Sequence, residues 1–323
     1  MKRVSERVSF LIAAFNEEDF IVDCVESCLN QSYPHIEVCV TDDGSTDNTW
    51  SLLSNRYQHD RRVVLDRFKK NKGKVPAFNR SYENSSGEYY ALVGADDVSY
   101  PGRIEASINN LNNSRADLIF AKMKICDKNL KPLPVGQIIV KDNKASLERI
   151  LTDNFCYGST LFFNRRIAAH SFPIPETLKF EDWWIGFNAL LNGKIKYMDK
   201  FVTLCRQHEK NTISNPDEKF LVQTLKKDFL RHYEYYRCFN RKIRQSTHLQ
   251  NKDKYYKIVR LNYTFRKIFF YPHLRQRLKF LPYLIEDRVP TLIFFYSIGL
   301  VFFGTRIYGI KRLKVYKKIV KKM

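Results

Sequence analysis

Three places in the 323-residue chain set acidic side chains next to each other: Asp42-Asp43, Asp96-Asp97 and Glu181-Asp182. Adjacent carboxylates repel unless something positive is bound between them or one of the two holds a proton. Such pairs therefore suit two kinds of chemistry. One is a magnesium- or manganese-type ion held by one or two carboxylates plus substrate phosphates; the other is proton transfer. Each pair alone also reads as a helix start, with negative charge facing the positive end of the helix dipole. Three of them at strand ends or helix starts favour a site.

The elements around them support that placement. Residues 8–14 form a short continuous apolar run, the pattern of a strand buried on both faces. Residues 17–29 carry Phe20, Ile21, Cys24, Val25, Cys28 and Leu29 at helical spacing. Strands follow at 36–41, 63–68 and 89–93 and helices at 49–57 and 75–84, with Thr46 or Asp47 as N-cap of the second helix. Alternating strands and helices predict an α/β fold with a mostly parallel, doubly wound sheet and helices on both faces. Ligands of such sheets sit at the carboxyl ends of the strands, where Asp42-Asp43 and Asp96-Asp97 fall. Further on the pattern is less regular, with strands expected near 117–125, 159–163 and 201–205 and a helix from Glu181.

Charge divides the chain. Residues 218–323 hold 26 Lys/Arg against 6 Asp/Glu, whereas residues 1–217 are nearly neutral, and a turn signal at Asn215-Pro216-Asp217 coincides with the shift. The expected division is a catalytic domain over 1–217 and a basic, mainly helical region over 218–323. An apolar content of 44% excludes a disordered chain. No secretory signal is read at the N-terminus. Seven cysteines without a Cys-x-x-Cys pair are expected to be reduced, as in the cytoplasm.

The run FLIAAFNEEDFIVDCVESCLNQSYPHIEVCVTDDGSTDNTW, then NKGKVPAFNRSYENSSGEYYALVGADDVSYPGRIE, and later FEDWWIGFNALLNGKIKYMD and CRQHEKNTIS, resemble the family 2 glycosyltransferases of GT-A fold. The resemblance covers roughly residues 6–215 and is strongest to members that build bacterial O-antigen and capsule repeat units. It implies that Ala14, Phe15, Asn16 and Glu17 lie beside the nucleotide. It further implies that Asp43, next to Asp42, accepts N3–H of a uracil or thymine, and that Lys74 and Asn79 approach the base or diphosphate. A UDP- or dTDP-sugar is the expected donor.

By the same resemblance Asp96 is the last acid of an Asp-x-Asp motif and binds Mn2+ or Mg2+ across the diphosphate. Asp97 stands beside it, Arg103 orients the pair, and His208 is a third ligand or a phosphate contact. The first acid of the motif is replaced by Gly94. Asp182 is the expected catalytic base, with Glu181 beside it, and Trp183, Trp184 and Phe187 are expected to exclude water or stack on a sugar. Relatives of this kind invert the anomeric centre in one displacement, which needs one carboxylate base and one cation.

The basic region interleaves Lys and Arg with large apolar residues and contains a 17-residue uncharged block at 289–305. That block is at the lower limit for spanning a bilayer, so a helix lying in an anionic membrane interface fits it best; core packing and spanning are the other readings. Nucleic acid is the rival partner, disfavoured by the long apolar block and the lack of a binding motif. The resulting expectation is an enzyme on the cytoplasmic face of the inner membrane that adds one sugar to a lipid-linked oligosaccharide. A polyprenyl-phosphate sugar transferase on the same fold, and a catalytically silent nucleotide-sugar or nucleic-acid binder, are the alternatives.

Overall fold

The computed structural model describes residues 6–134, 145–151, 154–208 and 234–270. In chain order the first half runs β1 (Val8–Ala14), α1 (Ile21–Leu29), β2 (Ile36–Asp42), α2 (Thr49–Tyr57), β3 (Val63–Arg67), α3 (Lys74–Glu83), β4 (Tyr89–Gly94), β5 (Val98–Ser99) and α4 (Arg103–Ser114). There follow β6 (Leu118–Asp127), α5 (Leu147–Ile150), a 3-10 turn at Gly158–Thr160, β7 (Phe162–Asn164), α6 (Arg165–Ser171), α7 (Glu181–Asn192) and β8 (Ile195–Gln207). A helix α8 over 234–245 and α9 (Lys252–Phe270) complete the described chain.

Eight strands form one sheet in the order β3-β2-β1-β4-β7-β6-β8-β5. Pairing is parallel for β3-β2, β2-β1, β1-β4 and β6-β8, and antiparallel for β4-β7, β7-β6 and β8-β5. The sheet is thus mixed rather than mostly parallel. Parallel neighbours need a crossover back to the starting edge. β7 sets out instead from the edge at which β4 and β6 end, directly after the 158–160 turn, and runs the other way.

Both faces are covered, which is why the first strands read as continuous apolar runs. On one face Val8, Phe10, Ile12 and Ala14 pack with Ile21, Cys24 and Val25 of α1, Leu53 and Tyr57 of α2, and Ile104 and Leu111 of α4. On the other lies α3, whose Ser81 hydroxyl is 2.9 Å from Thr41 Oγ1 and 2.9 Å from the Ile12 carbonyl. The helix expected over 17–29 begins at Ile21, because the amides of Glu17 and Glu18 are bound by Thr49 Oγ1 and Asp47 Oδ2 instead. Asn48 occupies the N-cap position of α2, yet Asp47 Oδ1 accepts the Thr49 amide at 2.9 Å. The seven cysteines are all free thiols.

The chain divides into two compact units, Met1–Ala145 with Asn154–Ser214, and Ser146–Asp153 with Asn215–Met323. In the second, Lys254 Nζ binds Glu148 Oε1 at 2.7 Å, and Tyr235, Phe239, Ile243 and Val259 are buried. No helix among the described residues is long and apolar enough to cross a membrane. The block at 289–305 lies outside the described residues.

Candidate active site

β1, β2 and β4 end in register, with Ala14 opposite Asp42 and Ala13 opposite Gly94. The loops leaving these ends are bound to one another. Asn16, in the left-handed region at φ 57°, donates its amide to Ser45 Oγ at 2.9 Å and accepts the Thr46 amide on Oδ1 at 2.9 Å. The Glu17 amide donates to Thr49 Oγ1 at 2.8 Å, and Phe15 is left 40% exposed. Asp42 is fully buried, accepting from Ser45 and pairing with Arg67 Nε at 2.9 Å. Asp43 accepts the Lys72 and Gly73 amides at 2.7 and 2.8 Å, which folds the lysine-rich loop after β3 back over the sheet edge. Burial raises both carboxyls above the ordinary range, against these hydrogen bonds. Gly44 is required beside them: at φ 73° its missing Cβ would stand 2.6 Å from the Lys70 carbonyl carbon.

Two expected ligand contacts belong to the frame instead. Asn79 is buried with both amide atoms paired to the backbone of Ile174, at 2.9 and 2.8 Å. Arg103 is 1% exposed and donates to Ser99 Oγ, Thr203 Oγ1 and the Leu92 and Leu161 carbonyls. Burial pulls its guanidinium down to about 10. It ties β4 to β5, β8 and the 158–160 turn rather than binding Asp96 or Asp97.

The second acidic pair is split by its turn. Asp96 Oδ2 lies 3.2 Å from His208 Nε2, and the imidazole packs on Phe20 with ring centroids 4.7 Å apart. Asp97, expected beside Asp96 on the ion, faces the protein: Oδ2 accepts the Ser159 hydroxyl at 2.5 Å and Oδ1 the Arg206 amide at 3.2 Å. Burial first, then the Asp96 charge, push Asp97 up to about 7. Gly94 makes this possible. A Cβ there would meet Asp96 Oδ1 at 2.8 Å and Asp97 Oδ2 at 2.9 Å, so a side chain at this position has to shift both carboxylates from these places.

No group of three or more His, Cys, Asp or Glu among the described residues is arranged to hold a metal. Asp96 and His208 nevertheless fit two sites of one ion. Neighbouring ligands about 2.1 Å from an octahedral ion lie about 3 Å apart, close to the observed separation.

The third pair starts α7. Glu181 is 4% exposed and its carboxylate binds Lys74 Nζ at 2.8 Å. Desolvation would lower the Lys74 ammonium, but Glu181, Asp182 and Asp96 outweigh it and hold it above the ordinary lysine range. Asp182 accepts from Asn154 Nδ2 at 3.0 Å and from the Trp183 and Gly158 amides at 2.7 and 3.1 Å. Burial, then the Glu181 charge, push it up to about 7. Trp183, Trp184 and Phe187 are core residues, and Trp184 Nε1 donates to the Ser171 carbonyl at 2.8 Å, so they do not present a face to a sugar.

A sequence profile described as glycosyl transferase family 2 matches residues 9–172, just over half of the chain and the whole stretch from β1 to the start of the third acidic site's surroundings. The chain belongs to glycosyl transferase family 2. It is 38% identical over 202 residues to the chondroitin synthase of Escherichia coli, covering 61% of this chain and 26% of the synthase. The chain spans 66% of the length of an uncharacterised glycosyltransferase of Nostoc sp. to which it is 25% identical, so it matches under two thirds of either relative. Residues 1–349 of S. aureus TarS in complex with UDP-GlcNAc share the fold at TM-score 0.63 and 21% identity, over 88% of this chain and 82% of that one. Mannosyltransferase PcManGT from Pyrobaculum calidifontis in complex with GDP-Man and Mn2+ does so at TM-score 0.56 and 15% identity, over 98% and 84%.

Several residues that hold these acidic groups in place had no role assigned from the sequence. Asn154, Gly158 and Ser159 lie in an irregular stretch, and Arg206, which pairs with Asp23 at 2.5 Å and stacks over Phe20 at 4.9 Å, sits late in a strand. Only the Gly158-Ser159 dipeptide, a turn pattern, marks the place.

Proposed function

We propose that the chain moves a single sugar from a UDP- or dTDP-sugar to an acceptor hydroxyl with inversion, in one displacement. The observation that carries this reading is the division of labour between two carboxylates. Asp182 is partly buried at the start of α7 and poised near neutrality, whereas Asp96 stands with His208 after the end of β4. In this reading Asp182 takes the proton of the attacking hydroxyl, and its raised affinity for protons matches it to that task at physiological pH. Asp96 and His208 would hold Mn2+ or Mg2+, which supplies charge neutralisation for the leaving diphosphate. Lys74 sits between the two ends, paired to Glu181 and within the field of Asp96, and adds fixed positive charge where the diphosphate would lie. Asp43 and the Asn16–Thr46 loops form the edge at which a nucleobase would dock. The complex of TarS with UDP-GlcNAc, on the same fold, supports a sugar nucleotide as donor.

The acceptor in this proposal is a lipid-linked oligosaccharide of bacterial surface-polysaccharide synthesis, O-antigen or capsule, reached from the cytoplasmic face of the inner membrane. The basic composition of 218–323 supports it: an anionic surface and a polyprenyl-diphosphate both attract such a region, and the apolar block favours lipid over nucleic acid. Release of UDP or dTDP from a donor panel, with and without membrane extract containing lipid-linked saccharide, tests both halves. Release that does not increase with extract removes the lipid acceptor, and no release from any donor removes the enzyme.

A further inference from the structure

The two oxygens of Asp182 are unequally occupied. Among the described residues, Oδ1 accepts two N–H groups, the Trp183 amide at 2.7 Å and Asn154 Nδ2 at 3.0 Å, whereas Oδ2 accepts only the Gly158 amide at 3.1 Å. A carboxylate oxygen has about two lone-pair sites, so Oδ1 is filled and Oδ2 keeps one open. The orientation of the Asn154 amide is also determined. Its Oδ1 accepts the Cys156 amide at 3.1 Å, so its Nδ2 must face Asp182; the flipped amide would set oxygen against oxygen on one side and N–H against N–H on the other. A Cβ at Gly158 would stand 3.0 Å from Glu181 Oε1, so a side chain there crowds the neighbouring carboxylate.

We propose that Asn154 is a positioning residue for the base: with the Gly158 amide it holds the Asp182 carboxylate so that Oδ2 alone takes the acceptor's proton. This rests on the reading of Asp182 as base. Asn154 makes its effect through a neutral donor, which orients the carboxylate and favours its charged form without cancelling its charge. The charged groups facing Asp182 are Glu181 on its own helix, which opposes ionisation, and Lys74 from α3, which favours it.

The test is a titration of the protein carrying 13C at its aspartate carboxyls, with the Asp182 resonance identified by its loss in Asp182→Asn. In the native chain its midpoint is expected at about 7. In Asn154→Leu, which removes the donor at similar bulk, the midpoint rises by about one pH unit. Asn154→Asp keeps the acceptor for the Cys156 amide and sets a carboxyl against Asp182, so it raises the midpoint further and serves if the Leu variant does not fold. The acid limb of nucleotide release, measured with the best donor of a UDP- and dTDP-sugar panel, moves by the same amount, and the rate recovers at high pH. An unmoved Asp182 midpoint in a folded variant overturns the proposal, as does an equal loss of rate at every pH, which would mark a purely structural role. Failure of the underlying reading is separate: Asp182→Asn would then retain full transfer whatever the Asn154 variants do.

Discussion

Gly158 and Ser159 are consecutive residues that hold two acidic sites at once. The Gly158 amide donates to Asp182 at 3.1 Å, and the Ser159 hydroxyl donates to Asp97 at 2.5 Å while accepting the Gly94 amide at 3.0 Å. One short turn therefore couples the proposed proton-accepting end of the site to the acidic loop after β4. Buried Arg103 secures that turn from below through the Leu161 carbonyl, and Thr203 does so by donating its hydroxyl to the Ser159 carbonyl at 2.6 Å.

Asp96→Ala should cut turnover by on the order of a hundredfold or more, the effect of losing a main electrostatic stabiliser of a leaving group. His208→Ala should act in the same direction and more mildly, because the carboxylate remains. Steady-state nucleotide release with EDTA, then with Mn2+ or Mg2+ restored, checks the metal. Full activity in EDTA would exclude it.

Asp182→Asn should leave binding of the sugar nucleotide intact, by calorimetry, while transfer collapses, because the amide keeps the shape and loses the basicity. Equal loss of binding and transfer would make Asp182 a structural residue.

The pH profile follows from the raised carboxyl. Burial and Glu181 put Asp182 up to about 7, and the proposed base works in its ionised form, so the rate should rise with pH through neutrality and level off above it. Glu181→Gln removes the repelling charge and should move that rise to lower pH. A neutral replacement of Lys74 should move it to higher pH. Profiles of kcat/KM for the three proteins decide the point, and a shift in the opposite sense for either variant contradicts the assignment.

Gly94→Asp, which completes an Asp-x-Asp motif on paper, should lose activity rather than gain it. The new Cβ has to displace the carboxylates of Asp96 and Asp97, and overpacking of this kind costs about 1–3 kcal/mol. A lower Tm together with weaker activation by Mn2+ is the expected result.

The full chain should bind vesicles containing phosphatidylglycerol, with partial release at high salt and complete release only in detergent. Each basic residue near an anionic surface contributes about 1 kcal/mol, screened within a Debye length, whereas apolar insertion is insensitive to salt. Vesicles of phosphatidylcholine alone should bind it weakly. Equal binding to both, unaffected by salt, would remove the electrostatic half of the proposal.

Much of this was legible before any coordinates. The alternation of apolar runs with helical spacing determined the order of strands and helices through β4, because burial on both faces of a sheet imposes a local pattern. The acidic pairs and the motifs around them determined the family, and the charge shift near residue 217 marked where composition changes. What only the tertiary structure decided is where each side chain points. Asp96 and Asp97 are neighbours in sequence, yet one meets His208 and the other Ser159 and Arg206, partners 62 to 112 residues away. Asn79 and Arg103 have the residue types of ligand contacts and serve as frame, since their partners at Ile174 and Leu161 lie 95 and 58 residues away, a pairing that no local period predicts. Asn154 has no pattern of its own. Its role exists only because the fold brings it to the one carboxylate whose second oxygen it leaves open, and hydrogen bonds of that reach are a property of the folded chain and not of any window of sequence.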